Sequence, residues 1–197
     1  MQSPELVVAL TGASGAAYGL ALVRALAAAG RRVHVVVSAG GARVLREECD
    51  ISVNPKAPDP RLLAPELAES LVAHSVEDYG ASIASGSYPL GGMAVCPCSM
   101  GTLGRIAAGT AENLITRAAD VCLKERRPLV LVAREAPLSA IHLENMLRLA
   151  RAGATILPAS PGFYQTPMEI IDLVNFVVAR VMEHLGVAQD LLPPWQG

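Results

Sequence analysis

The stretch that decides the fold runs from Asn113 to Pro137 and reads NLITRAADVCLKERRPLVLVAREAP. Apolar residues recur at helical spacing in its first half, which predicts an amphipathic helix with one stripe facing a core. Pro128 stops that helix, and the continuous apolar run behind it predicts a strand covered on both faces. In open α/β sheets, ligands bind beyond the carboxyl ends of the strands. Arg134 and Glu135 stand at that position.

Two more cations flank the apolar stripe of this predicted helix. Arg117 and Lys124 are seven residues apart, which is two helical turns. Leaving such cations buried without a partner would cost on the order of several kcal/mol each. The sequence therefore predicts a dense cluster of positively charged side chains at a strand end. Such a cluster in turn predicts a bound anion such as a phosphate.

The composition indicates a single α/β domain that associates with copies of itself. Apolar residues make up 52% of the 197 residues and charged residues 17%, against a usual charged fraction of about 25%. Extensive contacts between copies would resolve this shortage of polar surface. A membrane protein is the rival interpretation. The uncharged runs 6–23 and 79–104 are, however, broken by Gly, Ser, Thr or Pro, so neither is a sustained apolar span.

Charge and cysteine usage exclude several other classes. The formal net charge is -2, and the sequence has no basic cluster with interleaved aromatic residues. Both features argue against a nucleic-acid-binding protein. Cys96 and Cys98 are too close together for a zinc-binding Cys-x-x-Cys pair, and no second cluster follows, so we expect buried, reduced thiols and no metal. No Lys or Arg precedes the first apolar run, which argues against a secretory signal and favours the cytoplasm.

The N-terminal stretch is typical of a nucleotide-binding unit. Residues 6–10 predict a buried strand, which runs into the turn 11–19 and then into a helix that ends near Gly30. Small residues in such a turn let backbone N–H groups and the helix N-terminus approach a phosphate. The turn lacks the Gly-Lys-Ser/Thr of a P-loop, and no Tyr-x-x-x-Lys of the short-chain dehydrogenases follows it. A tight turn without a ligand is the alternative.

Two serines follow the next predicted strands. Ser38 comes after the strand 33–37, and Ser99 comes shortly after the strand 93–96. Each of them could cap the helix behind it, and each could bond a ligand that lies over the first turn. The segment 81–92 has no apolar period, which predicts either a mobile flap or a segment that a ligand orders.

The remaining segments continue the alternation of strands and helices. Residues 66–72 are predicted to form a short helix, and residues 139–152 a longer one with Ser139 as its N-cap. Thr166 and Glu169 predict a capping box at the start of the last helix. The pattern as a whole predicts an α/β fold, namely a three-layer, doubly wound, Rossmann-like or flavodoxin-like parallel sheet in one domain spanning residues 1–197.

Several motifs together carry a family resemblance over nearly the whole chain. They are Thr11–Gly15 with Tyr18 and Gly19, Ser85–Ser87, Pro97–Ser99, Arg117–Asp120, Leu123–Leu129, Arg134–Pro137, His142–Leu143 and Pro161–Tyr164. With these blocks the chain resembles the flavin prenyltransferases of the UbiX type. The Leu123–Leu129 and Arg134–Pro137 blocks are specific, whereas the glycine-rich turn is not.

The resemblance implies an activity. Members of that family join the dimethylallyl group of dimethylallyl phosphate to N5 and C6 of reduced FMN without a metal. The product, prenylated FMN, serves a UbiD-type decarboxylase. The resemblance also implies a homo-oligomer, usually a dodecamer, with sites at subunit junctions. We expect the C-terminal helix and the tail 191–195 to pack on neighbouring subunits.

The same resemblance assigns roles to residues. Catalytic roles fall to Glu135, Lys124, Glu48 and Ser14, with Glu135 as the group that moves a proton. FMN would be held by Gly12, Ala13, Ser14, Ser38, Ser99, Met100, Gly101, Thr102 and Arg134. The dimethylallyl phosphate would be held by Tyr164, Arg180, Lys124, Arg117, Tyr79 and Ser87, with Tyr79 covering the prenyl chain where relatives often place a tryptophan.

Two other functions stay open at this point. One is an FMN-dependent decarboxylase of the related flavoproteins that act on peptidyl-cysteine or phosphopantothenoylcysteine, although their Pro-x-x-Ala-Asn-Thr block is replaced by Pro97-Cys-Ser. The other is a flavin carrier without chemistry of its own. The cations around Lys124 and Arg180 argue against a carrier, because FMN alone needs one phosphate site.

Overall fold

A computed structural model describes residues 4–193, which form one parallel sheet with helices on both faces. The strands are β1 (Glu5–Leu10), β2 (Val33–Val37), β3 (Leu71–His74), β4 (Leu90–Cys98), β5 (Leu129–Ala133) and β6 (Thr155–Pro158). The α-helices are α1 (Ala16–Ala28), α2 (Ala39–Cys49), α3 (Pro60–Leu63), α4 (Met100–Ala108), α5 (Leu114–Lys124), α6 (Ala140–Arg151) and α7 (Ile170–His184). Short 3-10 turns lie at Pro65–Ser70 and Ser82–Ala84.

The sheet has six strands in the order β3-β2-β1-β4-β5-β6, and every neighbouring pair is parallel. The chain builds outward from β1 to β3 on one side and from β4 to β6 on the other. The order therefore reverses between β1 and β4, where a crevice opens at the carboxyl ends of the strands. The predicted doubly wound parallel sheet is confirmed.

Each face of the sheet carries its own hydrophobic core. Leu6 and Val8 belong to the core formed with α1, α2 and α7, and Val7 and Ala9 belong to the core formed with α4, α5 and α6. This alternation follows from the period of two in a strand. Because every residue of β5 is buried, the continuous apolar run in the sequence identified it correctly.

Two predicted elements differ from the structure. The short helix predicted over residues 66–72 is a 3-10 turn followed by the edge strand β3. The capping box at Thr166 is also wrong. Thr166 adopts a φ of 52°, and α7 begins later, with Glu169 as its N-cap and Asp172 completing the box. The acidic side chain of Asp172 accepts from the N–H groups of Met168 and Glu169, which competes successfully with the Thr166 signal.

Two sequence predictions, namely buried reduced thiols and the absence of a membrane span, can be compared with the structure of residues 4–193. Cys49, Cys96, Cys98 and Cys122 are free, and the last three are buried, as predicted. Burial raises the pKa of Cys98 and of Cys122 to about 12. Over residues 4–193, no helix has the length and apolar character needed to cross a bilayer. Trp195, in the tail expected to pack on a neighbour, lies outside the described residues.

Candidate functional site

The loops that leave β1 and β4 are tied together at the carboxyl edge of the sheet. The hydroxyl of Thr11 donates to the carbonyl of Pro97 at 2.7 Å and accepts from the N–H of Ser99 at 2.9 Å. Thr11 is itself buried. The first turn and the loop after β4 are thereby joined at the point where open α/β sheets bind ligands.

The first turn forms one side of this crevice. Gly12 and Ser14 are exposed, and Ala13 is buried beneath them. A Cβ added to Gly12 would lie 3.0 Å from the Cα of Gly40 in α2. Glycine at position 12 therefore lets the turn and α2 approach closely. Of the three predicted FMN residues in this turn, Gly12 and Ser14 stand open to a ligand, whereas the side chain of Ala13 is covered.

The two predicted serines both act as helix caps. The Oγ of Ser38 accepts a backbone N–H in the first turn of α2 at 3.0 Å, and the Oγ of Ser99 accepts the N–H of Thr102 at 3.3 Å. The capping alternative is thus confirmed for both residues, and a bond from either of them to a ligand stays a prediction. The other predicted residues of the Ser99 turn, Met100 and Gly101, lie at the same edge in the first turn of α4.

Glu48 reaches from α2 to the start of α1. Its Oε2 accepts the N–H groups of Gly15 and Ala16, both at 2.9 Å. Burial raises the pKa of Glu48, but the hydrogen bonds from Ser14, Ala16 and Gly15 and the charge of Arg134 outweigh burial and lower the pKa. The carboxylate therefore stays ionised, which is favourable at a helix N-terminus. The expectation that this helix start offers its N–H groups to a phosphate is wrong for these two, because Glu48 already occupies them.

Arg134 and Glu135 line a cavity between the end of β5, α6 and the end of β6. The Nε of Arg134 donates to the carbonyl of Ser14 at 3.1 Å, which joins the end of β5 to the turn. Glu135 is exposed and accepts the N–H of Ala136 at 3.1 Å. The cavity measures about 300 Å³, at the lower end of the range for small-molecule sites. Its other lining residues include Ala133, Leu138, Met146, Pro158 and Ser160.

Lys124 lies at the opposite edge of the sheet. Helix α5 runs back against the strands, so its last residue sits beside the start of β5, where the carbonyl of Pro128 accepts the N–H of Met93 at 2.9 Å. The five residues of β5 carry the chain about 16 Å before Arg134 is reached. The prediction that these positively charged side chains form a single cluster at a strand end is therefore wrong for one chain.

The cations are also paired rather than buried without a partner. Arg117 pairs with Asp120 at 2.9 Å, and Lys124 and Arg180 each pair with a nearby glutamate. The side chains of Arg117, Lys124 and Arg180 are 34%, 45% and 50% exposed. Because exposed pairs of this kind contribute only about 0–1 kcal/mol, an arriving phosphate could displace the carboxylates.

Arg180 and Tyr164 lie on one side of the molecule and Lys124 on the other. The Tyr164 ring meets Phe176 edge-on, with the ring centroids 5.7 Å apart. Phe176 precedes Arg180 by one helical turn on α7, so both point to the same face of that helix. Helix α7 packs on the sheet face opposite to α5. One chain therefore does not unite Lys124 with Tyr164 and Arg180.

The last two predicted substrate residues stand in the segment before β4. Tyr79 is half-exposed, and its hydroxyl lies 3.4 Å from the carbonyl of Ala111. The Oγ atoms of Ser85 and Ser87 are 2.9 Å apart. Both predicted residues lie on the side of the sheet that carries α5.

The sequence patterns did not single out two residues that organise the site. Thr11 joins the two cofactor-side loops, and Arg127 donates to the carbonyl of Gly86 at 2.7 Å. Arg117 likewise donates to the carbonyl of Ala84 at 3.1 Å. Thr11 and Arg127 both stand inside the motifs quoted above. Their hydrogen bonds span 86 and 41 positions, however, and such bonds cannot be deduced from one sequence.

Comparison with known proteins adds an independent line of evidence. A family model described as Flavoprotein matches residues 1–182. The chain is 49% identical over 200 residues to a protein of Pseudomonas aeruginosa named flavin prenyltransferase UbiX, with 99% of this chain and 96% of that protein covered.

Solved structures show the same relationship. A structure of AnUbiX in complex with FMN and dimethylallyl pyrophosphate superposes with a TM-score of 0.90 at 40% identity, and covers 100% of this chain and 99% of its own. A dodecameric, FMN-dependent UbiX-like decarboxylase from Escherichia coli O157:H7 superposes with a TM-score of 0.86 at 44% identity, with coverages of 98% and 99%.

Proposed function

The chain belongs to the flavoprotein family and, within it, to the UbiX-type flavin prenyltransferases, and from that premise we propose that it joins the dimethylallyl group of dimethylallyl phosphate to N5 and C6 of reduced FMN. The observation that carries the proposal is the cavity at the end of β5, next to the arginine that bonds the first turn. Arg134 and Glu135 line it together, and Arg134 is hydrogen-bonded to that turn. A cation and a proton-carrying carboxyl thus stand where the fold binds ligands.

FMN fits the carboxyl edge of the sheet. The exposed Gly12 and Ser14, the Ser38 and Ser99 caps and the guanidinium of Arg134 gather around the crevice. Arg134 is the cation best placed to meet the FMN phosphate, and the charged Glu48 stands beside Ser14 next to the turn. When bound, reduced FMN supplies N5 and C6 as the atoms that accept the dimethylallyl group.

The groups that hold the substrate phosphate come from neighbouring copies. Because Lys124 and Arg180 lie on opposite faces of the sheet, a pocket that uses both must lie between subunits. Copies of the chain have apolar surface with which to associate. It includes Ile141, Leu143 and Leu147 on α6, and Phe163, Met168 and Ile170 before and in α7. We assign the chain a homododecamer, as in the Escherichia coli neighbour.

The chemistry follows from the charges. Transfer breaks the bond between C1 of the dimethylallyl group and the phosphate oxygen, which keeps the electron pair. Lys124, Arg117, Arg180 and Tyr164 meet the negative charge that grows on that oxygen, and each charge-assisted hydrogen bond contributes about 1.5–3 kcal/mol. Tyr79 covers the allylic group, where an aromatic face adds about 0.5–2 kcal/mol. Bonding of C1 to N5 releases the N5 proton, which Glu135 carries to the departing phosphate. Bonding of the other end of the allylic group to C6 then consumes its double bond, which takes up one proton while C6 loses one, so the flavin gains one isoprenoid unit.

The product defines the partner. Prenylated FMN has to leave this chain for an enzyme that uses it, and we propose a UbiD-type decarboxylase as the recipient. We also propose the cytoplasm as the compartment in which the chain works.

The test is an anaerobic mixture of purified protein, reduced FMN and dimethylallyl phosphate, with the flavin weighed by mass spectrometry. The expected result is a flavin heavier by one isoprenoid unit. Glu135→Gln should slow its formation by about 10²–10⁴-fold and leave FMN bound. Glu144→Gln, which changes an exposed glutamate on α6, is the matched control and should retain full activity.

Each alternative gives a different result. A flavin carrier would return FMN of unchanged mass. A cysteine decarboxylase would release carbon dioxide from a peptide that ends in cysteine and would also leave the mass of FMN unchanged. Full activity of Glu135→Gln would reject Glu135 as the proton carrier without rejecting the transferase.

A further inference from the structure

Helix α5 ends in a turn that redirects the chain. The N–H of Arg127 bonds the carbonyl of Cys122 at 2.8 Å, and the N–H of Arg126 bonds the carbonyl of Leu123 at 3.2 Å. This is the Schellman pattern, in which one residue adopts the left-handed conformation, usually glycine. Here Arg126 adopts it, with a φ of 55°. The turn directs Arg127 back toward the segment that precedes β4.

Arg127 uses this position to hold a backbone peptide. Its Nη2 donates to the carbonyl of Gly86 at 2.7 Å, 41 positions away. Its Nη1 is buried and has no hydrogen-bond partner within residues 4–193. Unlike Arg117 and Lys124, it has no carboxylate within ion-pair distance in that part of the chain. The guanidinium is thus committed to the carbonyl rather than to an acidic side chain.

Gly86 sits directly against Lys124. A Cβ added to Gly86 would lie 2.5 Å from the Nζ of Lys124 and 2.3 Å from an oxygen of Glu125. A side chain at this position would make the ends of Lys124 and Glu125 shift. The turn Ser85–Ser87 and the ammonium group of Lys124 therefore form one surface.

Fixing the Gly86 carbonyl also fixes the N–H that follows it. In a planar trans peptide the C=O and the next N–H point in opposite directions. With the Gly86 carbonyl directed at Arg127, the N–H of Ser87 points away from Arg127. Within the described residues, no turn or loop hydrogen bond uses the N–H of Ser87. The turn that packs against the Lys124 ammonium group thus carries an unused N–H, which is suited to a phosphate oxygen.

We infer that Arg127 is a positioning residue for the substrate phosphate, because it orients the Gly86–Ser87 peptide so that the Ser87 N–H and Lys124 bind the phosphate together. This inference rests on the proposed function, in which Lys124 holds dimethylallyl phosphate. Arg127 itself does not touch the substrate. Its contribution is to the affinity for dimethylallyl phosphate and not to the affinity for FMN, whose residues lie at the other edge of the sheet.

The experiment measures binding without turnover. Protein loaded with oxidised FMN is titrated calorimetrically with dimethylallyl phosphate. Arg127→Gln should weaken its binding about 10- to 100-fold, the effect of losing one charge-assisted hydrogen bond. Arg127→Lys, which retains a cationic donor, should recover part of the loss. FMN affinity should stay within experimental error of the wild type, and the lost bond to the Gly86 carbonyl should lower the unfolding midpoint by only a few degrees.

Arg126→Gly is the matched control. It removes one positive charge, as Arg127→Gln does, but glycine keeps the left-handed turn. We expect it to bind dimethylallyl phosphate within twofold of the wild type. Equal weakening by Arg126→Gly and Arg127→Gln would reduce the effect to net charge and overturn the inference. Unchanged binding of dimethylallyl phosphate by Arg127→Gln would also overturn the inference. A loss of both FMN affinity and thermal stability in Arg127→Gln would do the same. Wild-type protein that binds dimethylallyl phosphate but forms no heavier flavin would instead reject the proposed function alone.

Discussion

Replacing Glu48 with alanine should destabilise the protein through helix α1, to which Glu48 does not belong. The N-cap of α1 is Gly15, whose lack of a side chain leaves the helix start without a local cap. Glu48 supplies the missing acceptor for two N–H groups at 2.9 Å each. Loss of an N-cap costs about 0.5–2 kcal/mol, and loss of the favourable helix-dipole contact about 0.3–1 kcal/mol.

We therefore expect Glu48→Ala to lower the free energy of unfolding by about 1–2 kcal/mol, and Tm by about 2–8 °C for a chain of this size. The assay is thermal unfolding followed by circular dichroism at one protein concentration, because the stability of an oligomer depends on concentration. Glu47→Ala is the control. Glu47 is the preceding residue, and its ion pair among residues 4–193 is the exposed one with Arg43, so its loss should cost about 0.5 kcal/mol or less.

The pH dependence gives a second check on the same residue. The pKa of Glu48 is lower in the folded chain than in the unfolded chain, so its stabilisation is fully present above about pH 4.5 and is lost as the pH falls through the lowered value. The gap in Tm between wild type and Glu48→Ala should close in that acidic range. A gap that persists there, or Glu47→Ala and Glu48→Ala of equal stability at neutral pH, would refute the capping argument.

Three further predictions concern the scaffold. Thr11→Val leaves a buried N–H without its acceptor and should cost about 1–3 kcal/mol in urea unfolding, whereas Thr11→Ser should keep the wild-type midpoint and FMN affinity. Gly41→Ala places a Cβ 2.3 Å from the carbonyl oxygen of Leu10, so α2 must shift, and Tm should fall by an amount equivalent to about 1–3 kcal/mol. Gly104→Ala, where the nearest atom is 3.5 Å from the added carbon, should not lower Tm. Burial and the charge of His34 lower the pKa of His74 below 6.5, so stability should drop as the pH is taken below about 6.5, because the unfolded chain then binds a proton that the folded chain resists. His74→Asn should flatten the Tm profile between about pH 7.5 and 5.5, and an unchanged slope would contradict this assignment.

The fold could be predicted where one strong signal acted alone. The apolar runs of β1, β2 and β5 identified buried strands, and Ser139 marked the start of α6 correctly. Strand β3 was missed because its four residues lie at the sheet edge and are mostly half-buried, so they lack an apolar run. The capping box predicted at Thr166 was wrong because Asp172, a second acidic residue downstream, completes a box with Glu169 instead.

The sequence suggested candidate site residues but not their geometry. Ten positions separate Lys124 from Arg134, and nearness in sequence suggested nearness in space. The reversal from α5 into β5 places them at opposite edges instead. Which carboxylate pairs with which cation, and that Arg127 serves a carbonyl, depends on contacts between distant segments. Such contacts become visible only once the chain is folded.

The opposite placement of Glu135 and Lys124 has a genetic consequence. If each reaction centre takes Glu135 from one copy and Lys124 from another, two alleles that are each inactive, Glu135→Gln and Lys124→Ala, can complement each other when expressed together. Random assembly would leave about a quarter of the centres with both intact residues. A cell that carries both defective alleles would then grow where neither parent strain does.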